Sequence, residues 1–270
     1  MNVQELNQLQ RETWTSGDFP TMGLELSFVG ELLCESVPIL AGDRVLDVAT
    51  ASGNTALSAA RRRAAVTGVD ITPAMLERAR IRAAAEGLHV DFQEGDATAL
   101  AFPDASFDVV MSTFGAIFAP DPEKTAHQMA RVCRPGGKVA MANWTPEGML
   151  GTLFRILANY SPDGGEWDAQ WESSVSWGDE AILRGRLQPY VTDLRVERKT
   201  MRFRSSSPAH WVEFMKTQFG PAILAFEHSS PGKKEALERE MLDLMHRFNR
   251  SPNGTALGES EYIEVVATRL

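Results

Sequence analysis

From Arg44 to Trp144, short apolar runs alternate with helical patterns, and this order constrains the fold more than any other feature of the chain. RVLDVA, AAVTGVD, LHVDFQEGD, FDVVMST and KVAMANW read as strands, with helices near Ser52–Arg62, Pro73–Glu86 and Pro122–Cys133. Such alternation predicts a parallel sheet with crossover helices. The boundaries agree: Thr72 and Pro73 supply an N-cap and an N1 proline, Gly87 follows a last helical residue, and Arg134-Pro135-Gly136-Gly137 stops a helix before a strand.

The flanks read differently. Residues 1–38 suggest two helices broken at Ser16-Gly17-Asp18-Phe19-Pro20, forming a helical N-terminal lid. Residues 39–160 form the α/β core, and 161–270 supply further strands of the same domain with an inserted helical cap at about 205–258. Leu194–Arg204 and Glu261–Thr268 alternate as strands, and Leu237, Met241, Leu244, Met245 and Phe248 mark one face of a helix between them. Ser161-Pro162-Asp163-Gly164-Gly165 and Ser251-Pro252-Asn253-Gly254 read as loops or hinges.

Composition narrows the partners. With 27 Lys plus Arg against 36 Asp plus Glu, the net charge of −9 opposes sequence-independent binding to nucleic acid or to an anionic membrane surface. Arg61-Arg62-Arg63, the only basic run, falls at a helix end and reads as a solvated dipole partner. The start, MNVQELNQLQRETW, lacks the pattern of a secretory signal, and no apolar stretch is long enough to span a membrane, so a cytoplasmic location is expected. Cys34 and Cys133 have no metal-ligand spacing; free core thiols and no metal site are expected.

In an open parallel sheet, ligands bind beyond the carboxyl ends of the strands, which directs attention to the first turn, Asp47-Val48-Ala49-Thr50-Ala51-Ser52-Gly53-Asn54. A dinucleotide turn needs bare glycine backbone for pyrophosphate, whereas this turn has one glycine and an aspartate that would repel phosphate. A ligand carrying a cation and no phosphate fits better.

VLDVATASGNTA, VTGVDITPAMLERAR, FQEGDATALAFPDASFDVVMSTFG and MARVCRPGGKVAMANW, in this order over residues 43–144, resemble a class I S-adenosylmethionine-dependent methyltransferase, in the branch of the quinone-biosynthesis C-methyltransferases. The resemblance implies a Rossmann-like, mostly parallel sheet of seven strands, the last antiparallel. It also implies S-adenosyl-L-methionine as cofactor, with Asp47 and the backbone from Ala49 to Gly53 at its methionine part. Asp70 would accept both ribose hydroxyls, as a two-oxygen carboxylate can for a cis diol. Ile71 would pack on the adenine and Met75 would line the same pocket, Asp96 with the Ala97 backbone would meet the adenine edge, and Ser112 would face the methionine end. Each has a plainer reading: Asp70 caps the following helix, Asp96 makes an Asx turn, Ile71 and Met75 are core, and Ser112 fills a strand end. The family is glycine-rich where this chain has Ala49 and Ala51, and alanine at positive φ is disfavoured by about 1 kcal/mol.

The acceptor is less marked. Trp144, Trp167, Trp171, Trp177, Trp211, Phe114, Phe118, Phe214 and Phe219 fall at or after the fourth strand, which suggests an apolar or aromatic small-molecule acceptor, with Trp211 and Phe214 lining its pocket. These rings also serve to pack helices onto the sheet. Methyl transfer needs a base only when the acceptor must lose a proton; His210 and His228 are the candidates, and no residue is assigned as catalytic. Two other readings stay open: a module that binds the cofactor without transferring a methyl group, and a nicotinamide-dependent oxidoreductase.

Overall fold

A computed structural model of the chain describes residues 3–160 and 166–270. The segment Ser161–Gly165, read above as a hinge, lies outside the described residues. Two N-terminal helices, α1 (Val3–Thr15) and α2 (Phe19–Ser36), lead into β1 (Arg44–Val48), α3 (Asn54–Arg61), β2 (Ala65–Asp70), α4 (Pro73–Ala85) and β3 (Val90–Glu94). Then come β4 (Phe107–Thr113), α5 (Pro122–Val132) and β5 (Cys133–Trp144). Helices α6 (Met149–Ala158), α7 (Glu166–Ser176) and α8 (Glu180–Leu187) precede β6 (Val191–Ser205). Helices α9 (Pro208–Gln218), α10 (Gly220–His228) and α11 (Pro231–Phe248) separate it from β7 (Ala256–Arg269).

The seven strands form one sheet in the order β3-β2-β1-β4-β5-β7-β6. β1 to β5 run parallel, and β7 is antiparallel to both β5 and β6. This is the expected Rossmann-like sheet. Because side chains alternate along a strand, Val45, Val109, Met111 and Ala140 enter one core while Leu46, Val48, Val110, Val139 and Met141 enter the other. Helices α3 and α4 cover the first face, α5 and α8 the second, which explains why these strands read as nearly unbroken apolar runs.

Three local expectations are corrected. Cys133, read as the end of α5, opens β5 opposite Phe107, and the Arg134–Gly137 stretch is absorbed as an irregularity before pairing resumes at Val109–Lys138. Thr72 occupies the N-cap position of α4, yet its side chain makes no capping bond; its amide instead donates to Asp70 Oδ1 at 2.8 Å. The basic run is not merely solvated, since Arg61 pairs with Glu31 and Glu86, and Arg62 with Glu31 and Glu35, tying α2 to α3. Cys34 and Cys133 are unpaired and buried, and burial pushes each thiol up to about 12.

The break between α1 and α2 lies against the α9–α10 junction at backbone distance. A Cβ on Gly220 would stand 1.9 Å from the Thr13 carbonyl oxygen, and one on Gly17 would stand 2.2 Å from that of Gln218. Only glycine permits this approach, which sets α1 across the carboxyl ends of the strands. No helix among the described residues is long and apolar enough to cross a membrane.

Candidate functional site

One cavity opens at the carboxyl ends of β1, β2 and β4, and it has two chemically distinct ends. The polar end is built on the turn after β1. Asp47 is buried, and its Oδ2 accepts from Thr50 Oγ1 at 2.6 Å and from the Ala56 amide at 2.9 Å, so it holds both the turn and the start of α3. Among the described residues nothing donates to Oδ1, and Asp47 lines the cavity. Burial pushes its carboxyl up to about 7, against the pull of those hydrogen bonds.

The turn adopts the conformation its composition disfavours. Ala49 and Ala51 have φ of 55° and 48°, followed by Gly53 at 86°. Asp70 stabilises this arrangement: its Oδ2 accepts from the Ala51 amide at 2.8 Å while Oδ1 takes the Thr72 amide, joining the turns after β1 and β2. Burial raises its pKa, and hydrogen bonds to Ala51 and Thr72 oppose that shift. Asp70 lines the cavity with Ile71 and Met75, so a carboxylate stands beside two apolar side chains, the combination a nucleoside presents in reverse.

Asp96 performs the Asx-turn role: Oδ1 accepts from the Thr98 amide and hydroxyl, each at 2.8 Å. It also faces the cavity with Ala97, and its Oδ2 accepts from Asn7 Nδ2 at 2.7 Å. Thus Asp47, Ala49, Asp70, Ile71, Met75, Asp96 and Ala97 are brought together on one cavity. Gly53 and Ser112 are not. Gly53 turns toward Ala79 and Phe92, and Ser112 Oγ donates to the Val48 carbonyl and accepts from the Ala116 amide, so its capacity is used inside the fold. Its neighbour Thr113 lines the cavity instead, since the next residue of a strand points to the other side.

The other end of the cavity is aromatic. Phe114 and Trp144 stack with ring centroids 3.7 Å apart and planes 4° from parallel. Phe114 has φ of 60°, an unusual conformation for a bulky residue, and its amide donates to the Ala142 carbonyl at 2.9 Å. Phe118, Phe154, Phe219 and Trp14 complete this wall, Trp14 lying 4.8 Å from Phe118 between ring centroids. Trp171 packs behind them on Phe154.

Several sequence expectations fail here. Trp211 is buried in the core and Phe214 packs against it; neither lines the cavity, because their faces of α9 turn into the protein. His210 and His228 are also absent from the lining; their Nδ1 atoms contact Ser206 Oγ and the Leu224 carbonyl. Among the described residues the titratable side chains of the cavity are Asp47, Asp70 and Asp96, all at its polar end. Asn7 and Gln10 of α1 also line the cavity although no motif marks them, whereas Trp14 lies in the N-terminal segment read above as a lid. Trp14 Nε1 donates to Gln10 Oε1 at 2.7 Å, and Arg11 donates to the Ile71 carbonyl at 2.8 Å and to Glu94 at 2.6 Å, fastening α1 to the ends of β2 and β3.

Comparisons with known proteins agree with this geometry. A family model described as a methyltransferase domain matches residues 45–137. An uncharacterised protein of Mycobacterium tuberculosis is 39% identical over 242 residues, covering 88% of this chain and 87% of the relative. A demethylmenaquinone methyltransferase of Thermus thermophilus is 42% identical over 117 residues, 42% of this chain and 53% of that enzyme. A phosphoethanolamine N-methyltransferase of Haemonchus contortus, solved with S-adenosylhomocysteine, superposes with a TM-score of 0.62 at 18% identity, over 99% of this chain and 60% of that one.

Proposed function

Since the chain belongs to the class I S-adenosylmethionine-dependent methyltransferases and uses S-adenosylmethionine as cofactor, we propose that it methylates an apolar, aromatic small molecule bound at the Phe114–Trp144 end of the cavity. The observation that carries this reading is the continuity of one cavity from three strand-end carboxylates to a wall of aromatic rings.

The residues present fit the cofactor. Asp47 Oδ1, with no donor among the described residues, suits the ammonium; Asp70 retains lone pairs for the ribose diol; Ile71 and Met75 supply apolar faces for the base. When held there, the cofactor would supply an electrophilic methyl group carried on a sulfonium. The protein's contribution is alignment and exclusion of water. The aromatic end holds a planar acceptor by stacking and burial, and Thr113 and Phe114 stand where the two ends meet.

The titratable residues lining the cavity stand at the donor end, so the reading favours an acceptor that presents its own electron-rich atom, such as an ionised phenol or the ring carbon of a hydroquinone, without a histidine to deprotonate it. Helix α1 acts as the lid, with Trp14 closing the aromatic end and Arg11 latching the polar end. The likeness to a demethylmenaquinone methyltransferase over the core supports a quinol-like acceptor. Tryptophan fluorescence tests the site: lipophilic phenols and naphthoquinols should quench the S-adenosylhomocysteine-bound protein saturably, and Trp144→Leu should weaken that binding. Quenching by polar amines alone, or binding indifferent to Trp144→Leu, would contradict the assignment.

A further inference from the structure

Asp96 stands where the adenine edge is expected, yet its carboxylate is already heavily engaged. Oδ1 accepts two hydrogen bonds from Thr98, and Oδ2 accepts one from Asn7 Nδ2. Two donors fill the lone pairs of Oδ1 and leave a single one on Oδ2. The bond from Nδ2 also fixes the direction of the Asn7 amide, because the reverse orientation would set its carbonyl oxygen against a carboxylate. Asn7 Oδ1 therefore points away from Asp96.

That oxygen is buried and accepts no hydrogen bond from any of the described residues, while Asn7 lines the cavity beside Gly95, Asp96 and Ala97. A buried acceptor without a donor is unfavourable, and native proteins seldom leave one unless a ligand or water supplies the proton. The expected ligand carries a suitable group: the exocyclic amine of adenine has two N–H bonds.

We propose that Asn7 Oδ1 accepts a hydrogen bond from the exocyclic amine of the cofactor's adenine, so that the lid helix carries part of the base-reading edge. This rests on S-adenosylmethionine being the cofactor. One amine hydrogen then meets the remaining lone pair of Asp96 Oδ2 and the other meets Asn7 Oδ1. A 6-oxo purine would present an acceptor to both oxygens and be refused. Closure of α1 is thereby tied to the identity of the base, whereas the Arg11 bonds to Ile71 and Glu94 fasten the helix whatever base lies beneath.

The test is calorimetric titration of the full chain with S-adenosylhomocysteine and with its 6-oxo analogue, S-inosylhomocysteine. The parent chain should prefer the adenine compound. Asn7→Leu, close in shape, should weaken S-adenosylhomocysteine by roughly 2- to 10-fold without weakening the inosine compound, so the preference falls by the same factor. Arg11→Ala should weaken both alike and leave the preference intact. Asn7→Ala, read the same way, covers the case in which Asn7→Leu fails to fold. Equal weakening of both ligands in the Asn7 variants would show that Asn7 only fastens α1, and unchanged binding would remove it from the site. Either result overturns the proposal. Failure of the parent chain to bind S-adenosylhomocysteine would instead overturn the cofactor assignment on which it rests.

Discussion

Replacing Ala49 and Ala51 together by glycine should stabilise the protein, the reverse of what glycine usually does. Both alanines are held left-handed, at φ of 55° and 48°, by a turn whose amides are already committed: Ala51 donates to Asp70, and Thr50 donates to the Val69 carbonyl at 2.9 Å. A left-handed L-residue is disfavoured by roughly 1–2 kcal/mol, and glycine's extra freedom in the unfolded chain returns about 0.5–1 kcal/mol of that. The net gain is about 0.5–1 kcal/mol per position, or about 1–2 kcal/mol for the pair. In a chain of this size each kcal/mol moves the melting temperature by about 2–4 °C, so calorimetry without ligand should show a rise of roughly 2–8 °C. Ala60→Gly, in right-handed α3, is the matched control and should lose about 1 kcal/mol or more. If the double variant melts below the parent, as the control should, the turn is not left-handed at these alanines and the argument fails.

Asp70→Asn should weaken S-adenosylhomocysteine by roughly 10- to 100-fold, the loss of hydrogen bonds to a charged acceptor; unchanged affinity by calorimetry would remove Asp70 from the ribose. Asp47 is raised from 3.8 to about 7 by burial, so its proton stabilises the fold fully below the unfolded value, and that contribution is lost as pH climbs through about 7. An ammonium ligand requires the ionised form, so S-adenosylhomocysteine affinity should fall as pH drops below about 7, by up to about tenfold per unit, with a proton released on binding; a flat profile between about pH 5.5 and about 7.5 would sever Asp47 from the ligand. Gly220→Ala places a methyl against the Thr13 carbonyl and should displace α1, read as faster amide exchange across residues 5–15; unaltered exchange would show that α1 does not depend on this contact.

What the sequence revealed and what it concealed divide along physical lines. The core strands were readable because burial on both faces makes them apolar throughout, and Asp47, Asp70 and Asp96 because each ends or follows a strand where the sheet gathers its ligands. Ser112 and Thr113 differ by one position in a period of two, so which of them reaches the cavity rests on register, which the residue types do not encode. Trp211 misled for a related reason: an aromatic residue on an amphipathic helix signals burial, and core and cavity wall are equally buried. The contribution of Asn7 arises from a contact 89 residues away in the chain, its bond to Asp96, which no local pattern records, whereas Trp14 falls in the segment that its helical pattern and the break at Gly17-Asp18 already mark as a lid.

Transfer of label from methyl-labelled S-adenosylmethionine tests the central claim most directly. The parent chain, offered lipophilic phenols and hydroquinones beside polar amines, acids and nucleic acid, should pass label to the aromatic acceptors with one S-adenosylhomocysteine formed per methyl transferred, and Trp144→Leu should depress that transfer while cofactor affinity stays within about a factor of ten. Label confined to polar or polymeric acceptors, or cofactor binding with no transfer to any aromatic acceptor, would contradict it.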